Sequence, residues 1–321
     1  MVSQDPKTLG GPERVTRTLG NMEANIGYVP GFRRAHGRGV AFRGHFTATP
    51  EAAALTIAEH LQGDEIPVTV RLSNGDGNPY AKDRNAVLGC AVRFALPSGD
   101  TSEWAALNIT DFPARKPDDF AGLAGAQKKN KKGKPNPLRL GFFIATHPQC
   151  LKGLLAILKA PTTQSFARTS FNGLHAYFLV DADGTRRAFR YRWVAAAQPE
   201  DLTEDEKRFL PPQYLVGEMK QRVEHEPAIW HLVLQMAEPG DPTDDMTKHW
   251  PDSRPTITAG RLVVDRVHED QDLVDRSMFD PTKVPGGIEV SDDPVLHFRS
   301  ESYIESQKRR LAETKPAIKP E

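Results

Sequence analysis

Four short stretches of this chain carry residue types that can do chemistry. In RRAHGRG, Arg33, Arg34, His36 and Arg38 fall within six residues, with Gly37 and Gly39 among them. Histidine is the side chain suited to moving a proton near neutral pH. Arginine grips a carboxylate through paired hydrogen bonds, and glycine lets backbone come close to a ligand. In VTVRLSNGDG, Arg71 and Ser73 lie two residues apart, so a strand points both from one face. An arginine buried there would need an anion or a partner acid. Asn108 ends the apolar run WAALN, a position that also suits a turn. In DDPVLHFRSESYIESQKRRLA, Arg299, Tyr303 and Arg310 recur at intervals of four and seven, which is one stripe of a helix. A cation one turn away favours the phenolate form of a tyrosine, and a phenolate is a good ligand for ferric iron. Taken singly, each stretch fits a surface helix, a turn or a solvated arginine cluster equally well. Asp76, Asn78 and Asp83 offer oxygen donors without the ordered spacing of a calcium loop.

The elements that must hold these side chains are mostly strands. Ile66, Val68, Val70 and Leu72 alternate with other positions, the period of a half-buried strand. Ala86–Leu96, Trp104–Thr110 and ITAGRLVVDRV read as further strands, and Leu174–Val180 and Thr185–Val194 flank Asp183-Gly184, a pair that favours a tight hairpin turn. Helices are expected at Pro50–Leu61, at Leu140–Leu158 with a break near Pro148, and at Thr203–Phe209. Many strands with helices grouped apart point to an α+β fold built around an antiparallel barrel or strongly curved sheet. There is no glycine-rich strand-to-helix turn with a following acid, so a dinucleotide fold is not supported.

The 321 residues suit one large domain or two small ones, and the 42 basic and 42 acidic side chains cancel. That balance gives no reason to expect a nucleic-acid or membrane partner, and no apolar run approaches a membrane span. The basic run Lys128–Lys134 and the acidic stretch Pro199–Glu206 read as solvated loops. The N-terminus MVSQDPKTLGGPERV lacks the apolar centre of a signal peptide, so the cytoplasm is the default compartment, or the periplasm if a leader has been removed. Cys90 and Cys150 read as two buried thiols, with no spacing for zinc. The tail after Leu311 has little to bury. The expectation is one domain over 1–321, with about 1–20 and 312–321 peripheral or flexible.

Together, and in this order, the four stretches resemble the heme catalases, most closely the short catalase-related peroxidases. Looser similarity (FNGLHAYFLVDADGTRRAFRYRW and FDPTKVPGGIEVSDDPVL) fills most of the span between them. The resemblance implies a catalase-like antiparallel barrel with surrounding helices and a heme b cofactor with its iron. It places the distal acid/base at His36, with Ser73 hydrogen-bonded to it and Asn108 beside the peroxide. Arg33, Arg71 and Arg310 fall on heme-propionate arginines, Tyr303 on the iron ligand and Arg299 on its partner. Phe120 matches the aromatic residue near the distal heme face. Ala35, Leu72 and Ser306 depart from the usual Val, Phe and Thr, and the smaller residue at 35 leaves room for peroxides larger than hydrogen peroxide.

No long N-terminal arm and no C-terminal flavodoxin-like domain are expected, and with them neither a threaded tetramer nor bound NADPH; a monomer or homodimer is. The activity implied is reduction of hydrogen peroxide or organic hydroperoxides by a small organic electron donor, with weak catalase activity. The alternatives are a true small catalase, an enzyme converting fatty-acid hydroperoxides, and a non-enzymatic heme carrier. Ala35 stands where the fatty-acid enzymes place a hydroxyl residue.

Overall fold

A computed structural model describes residues 11–26, 29–127, 136–199 and 202–316. The basic run at 128–134, residues 200 and 201 of the acidic stretch and the last five residues lie outside them. The described residues form nine strands: β1 Gly39–Ala48, β2 Glu65–Asn74, β3 Leu88–Ala95, β4 Thr101–Leu107, β5 Phe171–Val180, β6 Arg186–Ala195, β7 Ala228–Met236, β8 Thr256–Val267 and β9 Ile288–Val290. They pair antiparallel in the order β4-β3-β2-β1-β8-β7-β6-β5, and Leu107 opposite Asn172 joins β4 to β5, closing eight strands into a barrel. Closure leaves only β9 added at the edge of β5, which removes most unpaired strand edges.

Alternation decides what each strand sends inward. Phe42 and Phe46 of β1, Val68, Val70 and Leu72 of β2, and Val92 and Phe94 of β3 join the main core, together with Trp104, Tyr191 and Trp193. Trp104 packs 4.4 Å from Tyr191, ring centre to ring centre. The odd positions of β2, Arg71 and Ser73, therefore face out of the barrel, yet both are buried. Something must cover them, and the helices do.

The helices are α1 Pro12–Ile26, α2 Pro50–Ala53, α3 Pro117–Ala126, α4 Pro137–Thr146, α5 Cys150–Leu158, α6 Glu204–Phe209, α7 Tyr214–Val223, α8 Gln271–Arg276 and α9 Pro294–Leu311. Proline opens α1, α2, α3, α4 and α9, where its missing N–H costs nothing. The expected break near Pro148 separates α4 from α5, and Thr203 caps α6 through a box with Glu206. Both cysteines are buried and free.

Three readings change. The helix expected over Pro50–Leu61 stops after one turn and resumes as a 3₁₀ turn at Glu59–Leu61. Ile57 N instead donates to Val180 O at 3.1 Å, and the Thr56 hydroxyl donates to Gly287 O, so this backbone is drawn to the sheet. Residues 12–20 are not peripheral: α1 buries Val15 and Leu19 against Phe298 of α9. The tail is anchored as far as described: Glu313 accepts from Arg34 at 2.6 and 2.9 Å. A count of apolar side chains misses an anchor made of an ion pair.

His60 sits fully buried among Phe94 and Trp104, and neither ring nitrogen has a hydrogen-bond partner. Burial pushes its proton affinity down to about 3, so it is neutral at pH 7. An unpaired buried polar group costs about 1–3 kcal/mol. His60→Leu should therefore raise the melting temperature, read by calorimetry; a fall would mean that an internal water satisfies the ring.

Candidate active site

A cavity of about 680 Å³ lies between the barrel and the helices, within the range of small-molecule and cofactor sites. One wall is the outer face of β2, β3 and β4, through Arg71, Ser73, Gly89, Ala91 and Ala105. The other is built from α1, α3 and α9, through Leu19, Phe120, Arg299 and Tyr303. Most of the rest of the lining is apolar. Residues more than 200 positions apart in sequence thus share one cavity.

His36 enters it on a loop between α1 and β1. Its backbone is left-handed, with φ +55°, a conformation uncommon outside glycine and stored at functional sites when the surroundings enforce it. Here they do: His36 N donates to Gly75 O at 3.1 Å, Gly37 N to Asp76 O at 2.9 Å, and Arg71 Nη2 to His36 O at 3.1 Å. The flanking glycines serve this docking and not a ligand. A Cβ on Gly37 would meet Gly77 O at 2.4 Å, and one on Gly39 the Arg71 guanidinium at 2.5 Å.

The imidazole is held from two sides. Nδ1 lies 3.0 Å from Ser73 Oγ, as the spacing of β2 allows. Gly89 supports the ring from below, since a Cβ there would stand 2.6 Å from His36 Cε1 and 3.0 Å from Ser73 Oγ. Burial, then the charges of Arg71, Arg299 and Arg33, push the His36 proton affinity down to about 3. The ring is a neutral imidazole at pH 7 with Nε2 uncommitted to Ser73. Gly89→Ala should displace it, and catalysis that depends on the ring should fall roughly tenfold or more, following the sensitivity of rate to misplacement. Unchanged turnover would remove Gly89 from this role.

Tyr303 lies on the inner stripe of α9, whose first turn is capped by Asp293 accepting from Val295 N at 2.8 Å. Arg299, one turn earlier, donates to Tyr303 Oη from Nη2 at 2.8 Å and from Nε at 3.1 Å. Two cationic donors on one phenol oxygen complement negative charge there. Burial opposes the charge on Arg299, but Tyr303, Tyr177 and Tyr191 hold its proton affinity above the ordinary arginine value.

At the other end, Arg33 and Arg71 line the cavity. Among the described residues their nearby carboxylate is Asp275, 3.9 Å from Arg33 Nη1 and 3.5 Å from Arg71 Nε. Burial and mutual repulsion lower Arg33, and burial lowers Arg71. Arg33 Nη1 and Arg71 Nε are buried without hydrogen-bond partners. Arg310 stands behind them: it is not part of the described cavity lining, and it donates to Ser277 O at 2.7 Å and Arg276 O at 3.1 Å, at the end of α8. Burial, then Arg71, push it down to about 10. Three arginines against one carboxylate leave an excess of positive charge with orphaned donors, which suits a ligand carrying two carboxylates.

Asn108 is tied to the backbone of the neighbouring strand. Its Oδ1 accepts from Leu88 N at 2.8 Å and its Nδ2 reaches Ala86 O at 3.5 Å, and it is not among the described lining residues. At the end of β4 the amide satisfies the backbone at the start of β3, next to Gly89. Phe120 does line the cavity, its ring 5.7 Å from that of Phe112. The oxygen donors around residue 76 are engaged by the protein itself: Asp76 Oδ1 accepts from Asn78 N at 2.7 Å and Asn78 Oδ1 from Tyr80 N at 3.0 Å. Asp83 is taken by Arg38, by Asn74 Nδ2 at 3.0 Å and by Leu215 N at 3.1 Å, and no described cluster of His, Cys, Asp and Glu fits a metal.

Sequence reasoning missed Gly89, Asp275 and the pair His175–Asp293. His175 Nδ1 lies 2.7 Å from Asp293 Oδ2, both are about 1% exposed, and His175 Nε2 has no partner. Burial lowers His175, Asp293 opposes that, and Arg299 adds to it. The pair spans 118 residues, so no local pattern announces it.

Comparison with known proteins follows the same geometry. The family model described as Catalase matches residues 28–319. A catalase-related peroxidase of Mycolicibacterium paratuberculosis is 36% identical over 92% of this chain and 94% of its own length. One of Synechococcus elongatus is 30% identical over 92% and 88%. A bacterial catalase structure superposes with a TM-score of 0.79 at 22% identity, over 89% of this chain and 59% of that one.

Proposed function

The chain belongs to the catalase family and is an oxidoreductase of the heme peroxidase/catalase type; on that premise we propose that it binds heme b and reduces hydrogen peroxide or organic hydroperoxides with a small organic electron donor, with weak catalase activity. The observation that carries the reading is that His36 and the Arg299-bonded Tyr303 line one cavity whose end is rich in unbalanced arginine.

The residues fit the heme. Tyr303 Oη would ligate the iron, and Arg33 and Arg71 would take the two propionates, with Arg310 fixing α8 behind them. Phe120, Leu19 and Phe298 supply apolar walls for the ring. When bound, the heme supplies the iron at which the O–O bond is cleaved and holds the oxidising equivalents until a donor returns two electrons. The balanced reaction is ROOH + AH₂ → ROH + H₂O + A.

The chain contributes proton handling and shape. With its hydrogen directed to Gly89 O at 3.4 Å, Ser73 Oγ accepts from His36 Nδ1–H. That tautomer leaves the Nε2 lone pair to take the first peroxide proton, which is then returned to the departing oxygen. Asn108 also sets the backbone beside Gly89 through Leu88 N, and its amide would meet the peroxide. Ala35 lines the cavity, and its small side chain leaves room for a substituted peroxide.

The test is the absorption spectrum of the heme-loaded protein before and after one equivalent of peroxide, with oxygen release followed in parallel. A peroxide-induced spectral change that reverts when a donor is added, with little oxygen, is the expected result. Vigorous oxygen release makes the protein a small catalase, and a protein without heme affinity refutes the reading.

A further inference from the structure

The described wall of the cavity meets solvent on one loop. Among its described lining residues, Asp76, Lys82 and Asn85 are the exposed ones, and all three lie between β2 and β3. This loop belongs to the His36 side of the cavity, since Gly75 O and Asp76 O accept from His36 N at 3.1 Å and from Gly37 N at 2.9 Å. The loop is also braced. Asp83 N donates to Pro212 O at 2.8 Å, and Arg84 Nη2 donates to Arg208 O at 2.8 Å and Leu210 O at 3.1 Å. Asn85 is left-handed, with φ +52°, and the Thr162 hydroxyl holds it by donating to Asn85 Oδ1 at 2.6 Å. A mouth fixed in this way has little ordering left to do when a ligand arrives.

The charge on this loop is unbalanced. Lys82 and Arg84 both line the cavity, and the partners of Arg84 are carbonyls, which leave its charge unneutralised. The neighbouring acids are paired elsewhere: Asp83 with Arg38, Glu204 and Asp205 of α6 with Lys207 and Arg208, and Glu218 of α7 with Arg222. Asp76 is the one carboxylate among the described lining residues, and its Oδ1 accepts from Asn78 N. Two cations therefore face one acid at the mouth. Val87, at the β3 end of the same loop, shares an apolar cluster with Phe112 and Ile157, and all three line the cavity. A ligand suited to both features has an anionic end and an apolar body.

We propose that Lys82 and Arg84 make this mouth selective for organic hydroperoxides that carry a carboxylate. The carboxylate stays at the loop with the two cations while the apolar body enters beside Val87, which sends the peroxide group toward His36. A mouth of one sign also raises the rate of encounter with an oppositely charged substrate, an effect that salt weakens. Resting on the peroxidase reading above, this names the class of organic peroxide, reduced to the hydroxy acid and water by the two electrons and two protons of the donor.

The experiment compares kcat/KM of the heme-loaded protein for para-carboxycumene hydroperoxide and for its methyl ester, which differ in charge at one end only. The wild type should prefer the carboxylate, and the preference should shrink as salt is added. Lys82→Glu should lower the ratio of acid to ester roughly fivefold or more. Asp76→Asn should raise it, and a change of opposite sign excludes general damage to the fold. A second readout is calorimetric binding of the two corresponding alcohols to the same proteins, which should show the same order. The proposal is overturned if the wild type does not distinguish acid from ester, if neither variant moves the ratio, or if the variants change KM for the electron donor alone. Should no peroxide be turned over, hydrogen peroxide included, the function reading falls; preferential binding of the carboxylated alcohol, lost in Lys82→Glu, would still support the mouth, and its absence would overturn that too.

Discussion

Tyr303→Phe should abolish or shift the absorption spectrum of the heme-loaded protein and lower peroxide turnover by more than ~100-fold, because Tyr303 is the proposed iron ligand and loss of a direct ligand costs at least as much as loss of a supporting contact. The change removes one oxygen and leaves the ring in its place on α9. It also strips Arg299 of the acceptor for its Nε and Nη2, 3.1 and 2.8 Å away. A buried donor without a partner costs about 1–3 kcal/mol, so the heme-free variant should melt below the wild type. Spectrum and melting temperature report on different consequences of the one missing atom. A variant with the wild-type spectrum would refute Tyr303 as ligand, whatever its stability.

His36→Ala should behave in the opposite sense, with the heme spectrum kept and peroxide cleavage slowed by about 100-fold or more, the usual worth of a positioned acid/base. Heme affinity is spared because the arginine end and Tyr303 are untouched. The wild type carries a further mark. In its proposed role His36 acts as neutral imidazole, and its proton affinity is pushed down to about 3 by burial and by Arg71, Arg299 and Arg33. Protonation, which silences the base, therefore begins only as pH falls toward 3, and kcat/KM should be flat between pH 5 and 8 on this group's account. An acid limb centred near the ordinary imidazole value of about 6.5, absent in His36→Ala, would mean that the ring is more open to water than the cavity implies.

Much of the frame was legible along the chain because alternation is a local property. Ile66, Val68, Val70 and Leu72 mark β2 and put Arg71 and Ser73 on its other face without any knowledge of what lies there. The 299–303–310 spacing likewise specifies one stripe of α9, and Thr203 with Glu206 announces its own helix start. Other elements depend on partners distant in sequence. Backbone at Thr56 and Ile57 leaves the helical path because Gly287 and Val180 offer hydrogen bonds, and the tail is held because Arg34 waits for Glu313.

The site shows the same division. Residue types and spacing marked His36, Ser73, Arg71, Arg299 and Tyr303 only as candidates, and the resemblance of the ordered set to the heme catalases supplied their expected roles. Packing alone decided the left-handed turn at His36, the place of Gly89 against its ring, the bond of Asn108 to the β3 backbone and the bonds of Arg310 to the carbonyls of Asp275, Arg276 and Ser277. Each of these is a contact between segments whose separation in sequence carries no periodic signal. Chemistry is written in residue type and short spacing, whereas the direction in which a side chain is finally spent depends on which unsatisfied backbone or charge the closed barrel brings beside it.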